Sequence, residues 1–284
     1  MSTSFLPRDQ EPVFPKPLNP WHPEFIFNEF FVFFGRQKSS IEKERSLRIV
    51  IRGLSKSYGL VWALKQTDLV LEPGECIALL GPNGAGKSTL LGLLSALLHP
   101  TTGEVLIDGQ RLDQGSSPLR SAIGLLTPSG HLYEGLTLRE NLHLFNSLYG
   151  VKKSPQEIDE ALDTVGLGRW REEYVSALSS GMKCRLGIGK WLLLQPQFLL
   201  LDEPYGVLDG SGVDLLESYL KRLCRSGGTV VMATHHVSRI LTLCSRALIL
   251  RRGELIFDEP RQQPWESFHR TFAEFLPRGD QWSS

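Results

Sequence analysis

The chain of 284 residues has few cysteines, no excess of either charge and no long apolar run. Its four cysteines are Cys76, Cys184, Cys224 and Cys244. They lie far apart without a C-x-x-C pair, which argues against a disulfide framework and predicts buried or incidental thiols in a reducing compartment. Thirty-one basic residues balance 31 acidic ones, so a nucleic-acid partner is not expected. No uninterrupted run of 18 apolar residues occurs, so no membrane-spanning helix is predicted.

Residues 1–46 differ in composition from the rest, since they hold six of the 17 prolines and eight of the 14 phenylalanines. The first 24 residues are expected to form an extended, poorly ordered arm, without the pattern of a signal peptide. Residues 25–34 are apolar but too short to cross a bilayer. This patch is predicted either to pack on the chain's own domain or to lie on a partner protein or membrane interface. A third reading is that translation starts after residue 46.

From Leu47 onward, short apolar runs alternate with helical patterns. The predicted strands are Leu47–Ile51, Thr67–Leu71, Cys76–Leu80, Glu104–Ile107, Ala122–Leu126, Phe198–Leu201, Thr229–Ala233 and Ala247–Leu250. The predicted helices are Lys87–Leu98, Leu138–Leu148, Pro155–Val165, Ser180–Leu194, 211–224 and 237–244. Because strands that alternate with helices favour parallel pairing, this order predicts an α/β domain whose mostly parallel sheet is covered on both faces.

The strongest motif lies between a predicted buried strand and a helix, and it fits G-x-x-x-x-G-K-[ST]. Its residues are Gly81, Pro82, Asn83, Gly84, Ala85, Gly86, Lys87, Ser88 and Thr89. The glycines let backbone N–H groups curl around phosphate oxygens, and the following helix presents its positive N-terminus to the same anion. In such a loop Lys87 reaches the β- and γ-phosphates, and the Ser88 hydroxyl ligates Mg²⁺. The motif therefore predicts a nucleotide site that uses Mg²⁺.

A second motif, FLLLDEP from Phe198 to Pro204, places two carboxylates at the end of an apolar strand. Asp202 suits a Mg²⁺ ligand that acts through water, and Glu203 suits a general base that polarises the attacking water. By itself the Asp-Glu-Pro sequence is equally typical of a strand end. Together with the phosphate loop, it favours ATP hydrolysis.

With these two motifs, residues Leu47–Phe257 resemble the ABC-type ATPases, the nucleotide-binding subunits of ABC transporters. The resemblance implies a P-loop NTPase fold with a mostly parallel RecA-like core sheet, an antiparallel β-subdomain and a helical subdomain at about 127–195. It implies a domain at 47–257, between the arm 1–46 and a helical tail at 258–284, with the helix at about Pro264–Leu276. The ligands it implies are ATP and Mg²⁺.

Leu178-Ser-Ser-Gly-Met182 resembles the family's LSGGQ signature, with Ser180 in place of the first glycine and Met182 in place of the glutamine. The resemblance implies that this segment contacts the γ-phosphate of ATP held by the opposite subunit. Ser179, Ser180 and Gly181 are then its binding residues, with hydroxyls and with the N–H groups of a helix N-terminus. Without the other motifs, the same sequence is typical of an N-capped helix.

Three further residues take their predicted roles from the resemblance. Tyr58 matches the aromatic that stacks on adenine. His235 follows a buried strand and matches the switch histidine, which donates a hydrogen bond to the γ-phosphate. Asp209, in Val-Leu-Asp, matches the loop that links one active site to the other subunit. For Tyr58 and His235 the alternatives are ordinary structural roles, at a strand end and after a strand.

One departure concerns the glutamine that the family commonly carries between its two subdomains. Its expected position falls near Pro128, where the sequence reads LTPSGH from Leu126 to His131 and contains no glutamine. Thr127 or Ser129 is the candidate for the missing oxygen. This departure puts in doubt the usual metal contact rather than the whole activity.

The resemblance implies an ATP-hydrolysing subunit of an ABC transporter, at the inner face of the cell membrane through a separate permease. Two copies would hold two ATP molecules head-to-tail. The segment Leu132–Leu142 and the aromatic Tyr205 after Pro204 are most similar to export-type ATPases, above all the haem-exporter ATPase of cytochrome c maturation, with multidrug exporters close behind. Two alternatives stay open: a non-transport ABC protein acting on ribosomes or DNA, and an ATP-gated regulatory module with little turnover.

Overall fold

The computed structural model describes residues 46–113, 117–234, 240 and 242–260, which fold into two sheets and several helices. The strands are β1 (Ile49–Tyr58), β2 (Val61–Leu71), β3 (Cys76–Leu80), β4 (Thr102–Ile107), β5 (Gln110–Arg111), β6 (Ile123–Leu126), β7 (Phe198–Asp202), β8 (Thr229–Ala233), β9 (Arg246–Arg251) and β10 (Glu254–Pro260). The α-helices are α1 (Lys87–Leu94), α2 (Ser117–Ser121), α3 (Leu138–Leu148), α4 (Pro155–Thr164), α5 (Ser180–Leu194) and α6 (Gly210–Arg225). Short 3₁₀ turns cover Gly168–Trp170, Val175–Ala177 and Pro204–Val207.

The larger sheet has the strand order β10-β9-β3-β8-β7-β6, and every pairing from β9 to β6 is parallel. All residues of its central strands β3 and β8 are buried, as expected of strands covered on both faces. The structure confirms the prediction of an α/β fold with a mostly parallel core sheet.

The strand β10 was absent from the predicted elements. It pairs antiparallel with β9 through a turn at Arg252 and Gly253, both with positive φ. Its residues are half-buried or exposed and include three acidic side chains, so its apolar pattern is weak. The strand ends at Pro260, three residues beyond the predicted domain boundary at 257.

The smaller sheet is antiparallel, with the order β2-β1-β4-β5. Its first two strands form a hairpin in which Tyr58 pairs with Val61 across the turn residues Gly59 and Leu60. The buried side of this sheet contributes Ile49, Ile51 and other aliphatic side chains to a core shared with α1 and β3. This sheet is the antiparallel part that the resemblance implies.

The helices α3, α4 and α5 pack against one another and against the parallel sheet. Capping boxes begin two of them, because Thr137 and Ser154 each accept a hydrogen bond from the N–H three residues later. The bounds of α3 and α5 agree with the predicted helices Leu138–Leu148 and Ser180–Leu194. Helix α1 ends four residues earlier than predicted, at Leu94, because the N–H groups of Leu97 and Leu98 both turn back to the carbonyl of Gly92.

Three of the four cysteines are buried and all four are free thiols, as predicted. One contact between cysteines could not be predicted from their distance in sequence. The parallel pairing of β3 with β9 brings the sulfurs of Cys76 and Cys244 to 3.4 Å. The arm up to residue 45, the tail from 261, His235 and most of the predicted helix 237–244 lie outside the described residues. Within the described part of the chain, no helix has the length and apolar character needed to cross a membrane.

Candidate functional site

The phosphate loop leaves the end of β3 and is pressed against two neighbouring strands. Gly81 has φ +145°, and a Cβ there would lie 2.2 Å from the carbonyl oxygen of Leu250. Gly86 has φ +107°, and a Cβ there would lie 2.3 Å from the carbonyl oxygen of Ala63. Because backbone cannot yield easily, both positions require glycine. The loop is therefore fixed in shape by its surroundings.

The loop opens α1 without a side-chain cap. Gly86 is the N-cap residue and lacks a side chain that could accept from the first-turn N–H groups. Asn83, Gly84 and Ser88 around this terminus are exposed. Uncapped N–H groups and the helix dipole together favour an anion at this point. The geometry suits the phosphates that the sequence motif predicts.

Lys87 points back under the loop and is 7% exposed. Its Nζ donates to the carbonyl oxygens of Gly81 at 2.7 Å and Pro82 at 3.1 Å. Burial lowers the pKa of Lys87, and the nearby charges of Glu203 and Asp202 oppose that shift. The ammonium thus bonds to the phosphate loop and lies close enough to Glu203 and Asp202 for their charges to act on it.

The two carboxylates lie at the end of β7, where its last residue Asp202 pairs with Ala233 of β8 and Glu203 follows directly. Glu203 has φ +48°, a conformation that costs a non-glycine residue about 1 kcal/mol. Its N–H donates to the carbonyl of Ala233 at 2.8 Å, and its Oε2 accepts from the hydroxyl of Thr234 at 3.0 Å. Thr234 is fully buried. Sequence reasoning missed this threonine, although its place between a buried strand and His235 was a signal.

The signature segment begins α5 with Ser179 as the N-cap, whose hydroxyl accepts from the N–H of Met182 at 3.3 Å. Ser180 is exposed, and a Cβ on Gly181 would lie 2.8 Å from the carbonyl oxygen of Val207. The signature therefore packs against the turn that follows Glu203. Within the described residues, no hydrogen bond joins Ser179 or Ser180 to the phosphate loop.

Asp209 and Tyr58 are both well exposed. The Asp209 carboxylate caps α6 by accepting from the N–H of Gly212 at 2.8 Å, and it pairs with Arg185. These partners, the backbone N–H first, lower its pKa. Its carboxylate is thus engaged within its own chain. The Tyr58 ring is 52% exposed with Lys56 Nζ 5.2 Å from its centroid, which leaves ring surface for a stacked base.

The bend 127–131 occupies the place of the expected glutamine. The Thr127 hydroxyl lies 3.0 Å from the Ser129 hydroxyl and 3.1 Å from Nδ1 of His131. The carbonyl of Gly130 accepts from the buried ammonium of Lys190 at 2.7 Å. Sequence reasoning gave Lys190 no role, although a lysine among apolar residues of a predicted helix was a visible signal.

Known proteins with a similar sequence indicate the family of this chain. Residues 64–206 match the family model described as ABC transporter. An uncharacterized ABC transporter ATP-binding protein of Bacillus subtilis, YdbJ, is 34% identical over 80% of this chain and 74% of its own length. The taurine import ATP-binding protein TauB of Roseobacter denitrificans is 35% identical over 67% of this chain and 70% of its own.

Solved structures give the same result. The ATP-binding subunit of an ABC transporter matches with a TM-score of 0.71 at 28% identity, covering 82% of this chain and 95% of its own. An ATP-binding cassette solved as a dimer in a post-hydrolysis state, with ADP and Pi bound, matches with a TM-score of 0.69 at 28% identity, covering 76% and 99%. The chain belongs to the ABC transporter family as an ATP-binding subunit, an ATPase.

Proposed function

We propose that this chain hydrolyses ATP as one half of a head-to-tail dimer and thereby powers a separate membrane permease. One observation carries the proposal: Lys87 is buried beneath a phosphate loop whose helix terminus is uncapped, within the electrostatic influence of Asp202 and Glu203. Phosphate-binding groups and a fixed carboxylate base then lie in one site, as phosphoryl transfer to water requires.

Each residue of the site has its own proposed role in ATP binding or hydrolysis. N–H groups of the loop Gly81–Thr89 bind the phosphates, and Lys87 exchanges its loop carbonyls for phosphate oxygens when ATP enters. Glu203 accepts the proton of the attacking water, and the hydroxyl of Thr234 holds that carboxylate in position. Tyr58 offers its ring to the adenine. His235 is proposed to contact the γ-phosphate; it lies outside the described residues.

The donor set next to Lys87 fits Mg²⁺. Ser88 supplies a hydroxyl from the first turn of α1, and Asp202 supplies a carboxylate at the end of β7. Both are hard oxygen donors, and neither side chain is fully buried. When bound there, Mg²⁺ would neutralise charge on the β- and γ-phosphates.

The dimer is supported by the signature segment. Ser179, Ser180 and Gly181 form a helix N-terminus that makes no hydrogen bond to the described phosphate loop of its own chain. Such a terminus is suited to the γ-phosphate of ATP held by a second subunit. In this dimer Asp209 remains a helix cap within its own chain. The loop that carries Asp209, rather than its carboxylate, is proposed to contact the second site. A solved relative is a dimer with ADP and Pi bound.

We further propose that the permease docks around residues 127–150 at the cytoplasmic face and that transport is export. The support is the similarity of Leu132–Leu142 and Tyr205 to haem-exporter and multidrug ATPases. The names of the relatives leave the direction open, since one is named for taurine import and another for linearmycin resistance. Transport assays with the permease, using cargo inside or outside vesicles, test the direction.

Replacing Glu203 by Gln tests the mechanism. The variant is expected to bind ATP, to lose steady-state phosphate release and to accumulate as an ATP-bound dimer in size-exclusion chromatography. Glu72→Gln is the matched control, because Glu72 makes an exposed ion pair with Arg48 away from the site. Undiminished hydrolysis by Glu203→Gln would contradict the mechanism. ATP binding without phosphate release by the unmodified protein would favour the regulatory module.

A further inference from the structure

Lys190 is a buried ammonium that the mechanism above does not use. It lies on α5, about three helical turns after Ser179, and is 2% exposed. Its Nζ donates to the Gly130 carbonyl at 2.7 Å and lies 4.4 Å and 4.6 Å from the ring centroids of Phe145 and Trp191. Burial lowers its pKa to about 7. Since burying a lysine costs free energy, the contact it makes requires an explanation.

The contact fixes the bend 127–131. Gly130 and His131 both have positive φ, of +69° and +48°, so the chain reverses sharply there. The bend gathers three polar groups, because Thr127 lies within 3.1 Å of both the Ser129 hydroxyl and His131 Nδ1. A hydrogen bond from a charged donor is among the stronger ones in proteins. Lys190 therefore anchors the segment that carries these groups.

Helix α5 also contacts Gly130 of the bend and the end of β6 that leads into it. A Cβ on Gly187 would lie 2.7 Å from Cδ1 of Leu126 and 3.4 Å from Cα of Gly130, so the glycine permits close approach. The indole N–H of Trp191 donates to the carbonyl of Leu125 at 3.1 Å. With attachments both at the bend and at the strand end that leads into it, the bend is expected to move together with α5.

The bend starts at the edge of the sheet where the catalytic carboxylates lie. Leu126, the last residue of β6, pairs in parallel with Leu201 of β7. Asp202 is the last residue of β7, and Glu203 follows it directly. The hydroxyls of the bend and the proposed general base thus emerge from adjacent strand ends.

We propose that Lys190 is a positioning residue for ATP hydrolysis, which ties the signature helix to the bend 127–131 and holds the Thr127 and Ser129 hydroxyls toward the attacking water. The pair would take the place of the missing glutamine. A change at Ser179, the N-terminus of α5, would then reach the bend through the helix. This inference rests on the proposed function.

The test compares Lys190→Met and Lys190→Arg in the full chain, with Lys221→Met as control. Lys221 is half-exposed and pairs with Glu217, so its replacement removes the same charge at the surface. Lys190→Met is expected to lower kcat about tenfold, with the KM and the Kd for ATP within twofold. Lys190→Arg, which keeps a charged donor, is expected to stay within threefold of the unmodified kcat.

A double-mutant cycle separates positioning from a merely structural role. Thr127→Val with Ser129→Ala is expected to lower kcat about tenfold, and adding Lys190→Met is expected to cause no further loss beyond twofold. Additive losses would overturn the proposal. So would unchanged kcat in the Thr127/Ser129 variant, a result that does not depend on whether Lys190→Met folds. Absence of turnover in the unmodified protein would instead refute the proposed function.

Discussion

The buried ammonium of Lys190 makes the stability of the fold depend on pH in a direction that can be worked out. In the unfolded chain the lysine keeps its ordinary pKa of 10.5, whereas burial lowers the pKa to about 7 in the fold. Between these values the unfolded state binds one more proton than the folded state. The free energy of unfolding therefore rises with pH across this window, and the gain is lost progressively as the pH falls from 10.5 to about 7.

The magnitude follows from the size of the shift. One extra proton bound by the unfolded state gives a slope of up to about 1.4 kcal/mol per pH unit. At pH 7 half of the folded molecules still carry the proton on Lys190. The slope of the free energy of unfolding against pH therefore reaches its full value only above pH 7. Between pH 7 and pH 9 the contribution of Lys190 to the free energy of unfolding is expected to grow by about 2 kcal/mol.

Urea unfolding at pH 7 and pH 9 measures this contribution by comparison with Lys190→Met. The difference between the two proteins isolates the lysine together with its effect on His131, whose pKa is lowered by burial and by the charge of Lys190 and therefore lies below this window. From pH 7 to pH 9 the free energy of unfolding is expected to rise by about 2 kcal/mol more in the unmodified protein than in Lys190→Met. Lys221→Met is expected to show the same pH dependence as the unmodified protein. Equal pH dependence of the unmodified protein and Lys190→Met would refute the argument that, among the described residues, no carboxylate compensates the buried ammonium.

Three further predictions concern the phosphate loop and the cysteines. Gly86→Ala is expected to lower the free energy of unfolding by more than about 2 kcal/mol, measured in urea, because its Cβ would meet the Ala63 carbonyl; Gly84→Ala, with open space around it, is expected to lose only about 1 kcal/mol. Lys87→Met is expected to weaken ATP binding at least tenfold by calorimetry while the protein stays folded; unchanged affinity would contradict its role. Because burial raises the pKa of Cys184 to about 12, a disulfide reagent at pH 8 is expected to label this thiol only after denaturation, as followed by peptide mass spectrometry.

The order of elements and the phosphate-binding loop could be predicted from sequence because their signals are local. Glycines that need positive φ, such as Gly86, and caps such as Ser154 lie within a few residues of the element they define. Apolar runs such as Cys76–Leu80 are continuous because both faces of the strand are buried. Each of these features is fixed by residues that are neighbours in the chain.

The features that were missed depend on contacts between distant residues. Lys190 and Gly130 are 60 positions apart, and only the packing of α5 on the end of β6 brings them together. The pairing of β3 with β9 likewise brings Cys76 to Cys244. The strand β10 has a half-exposed, acidic sequence that periodicity does not single out. Pattern alone does not reveal which strands become neighbours.

A protein without net charge can hold a triphosphate because most of the binding does not come from basic side chains. The loop presents backbone N–H groups, and its conformation is set by glycines packed against the carbonyls of Leu250 and Ala63. Lys87 alone adds a full positive charge from within the motif, and Asp202 and Glu203 offset it until the nucleotide arrives. Binding is therefore expected to depend more on the shape of the loop than on ionic strength, since buried and backbone contacts are screened little by salt.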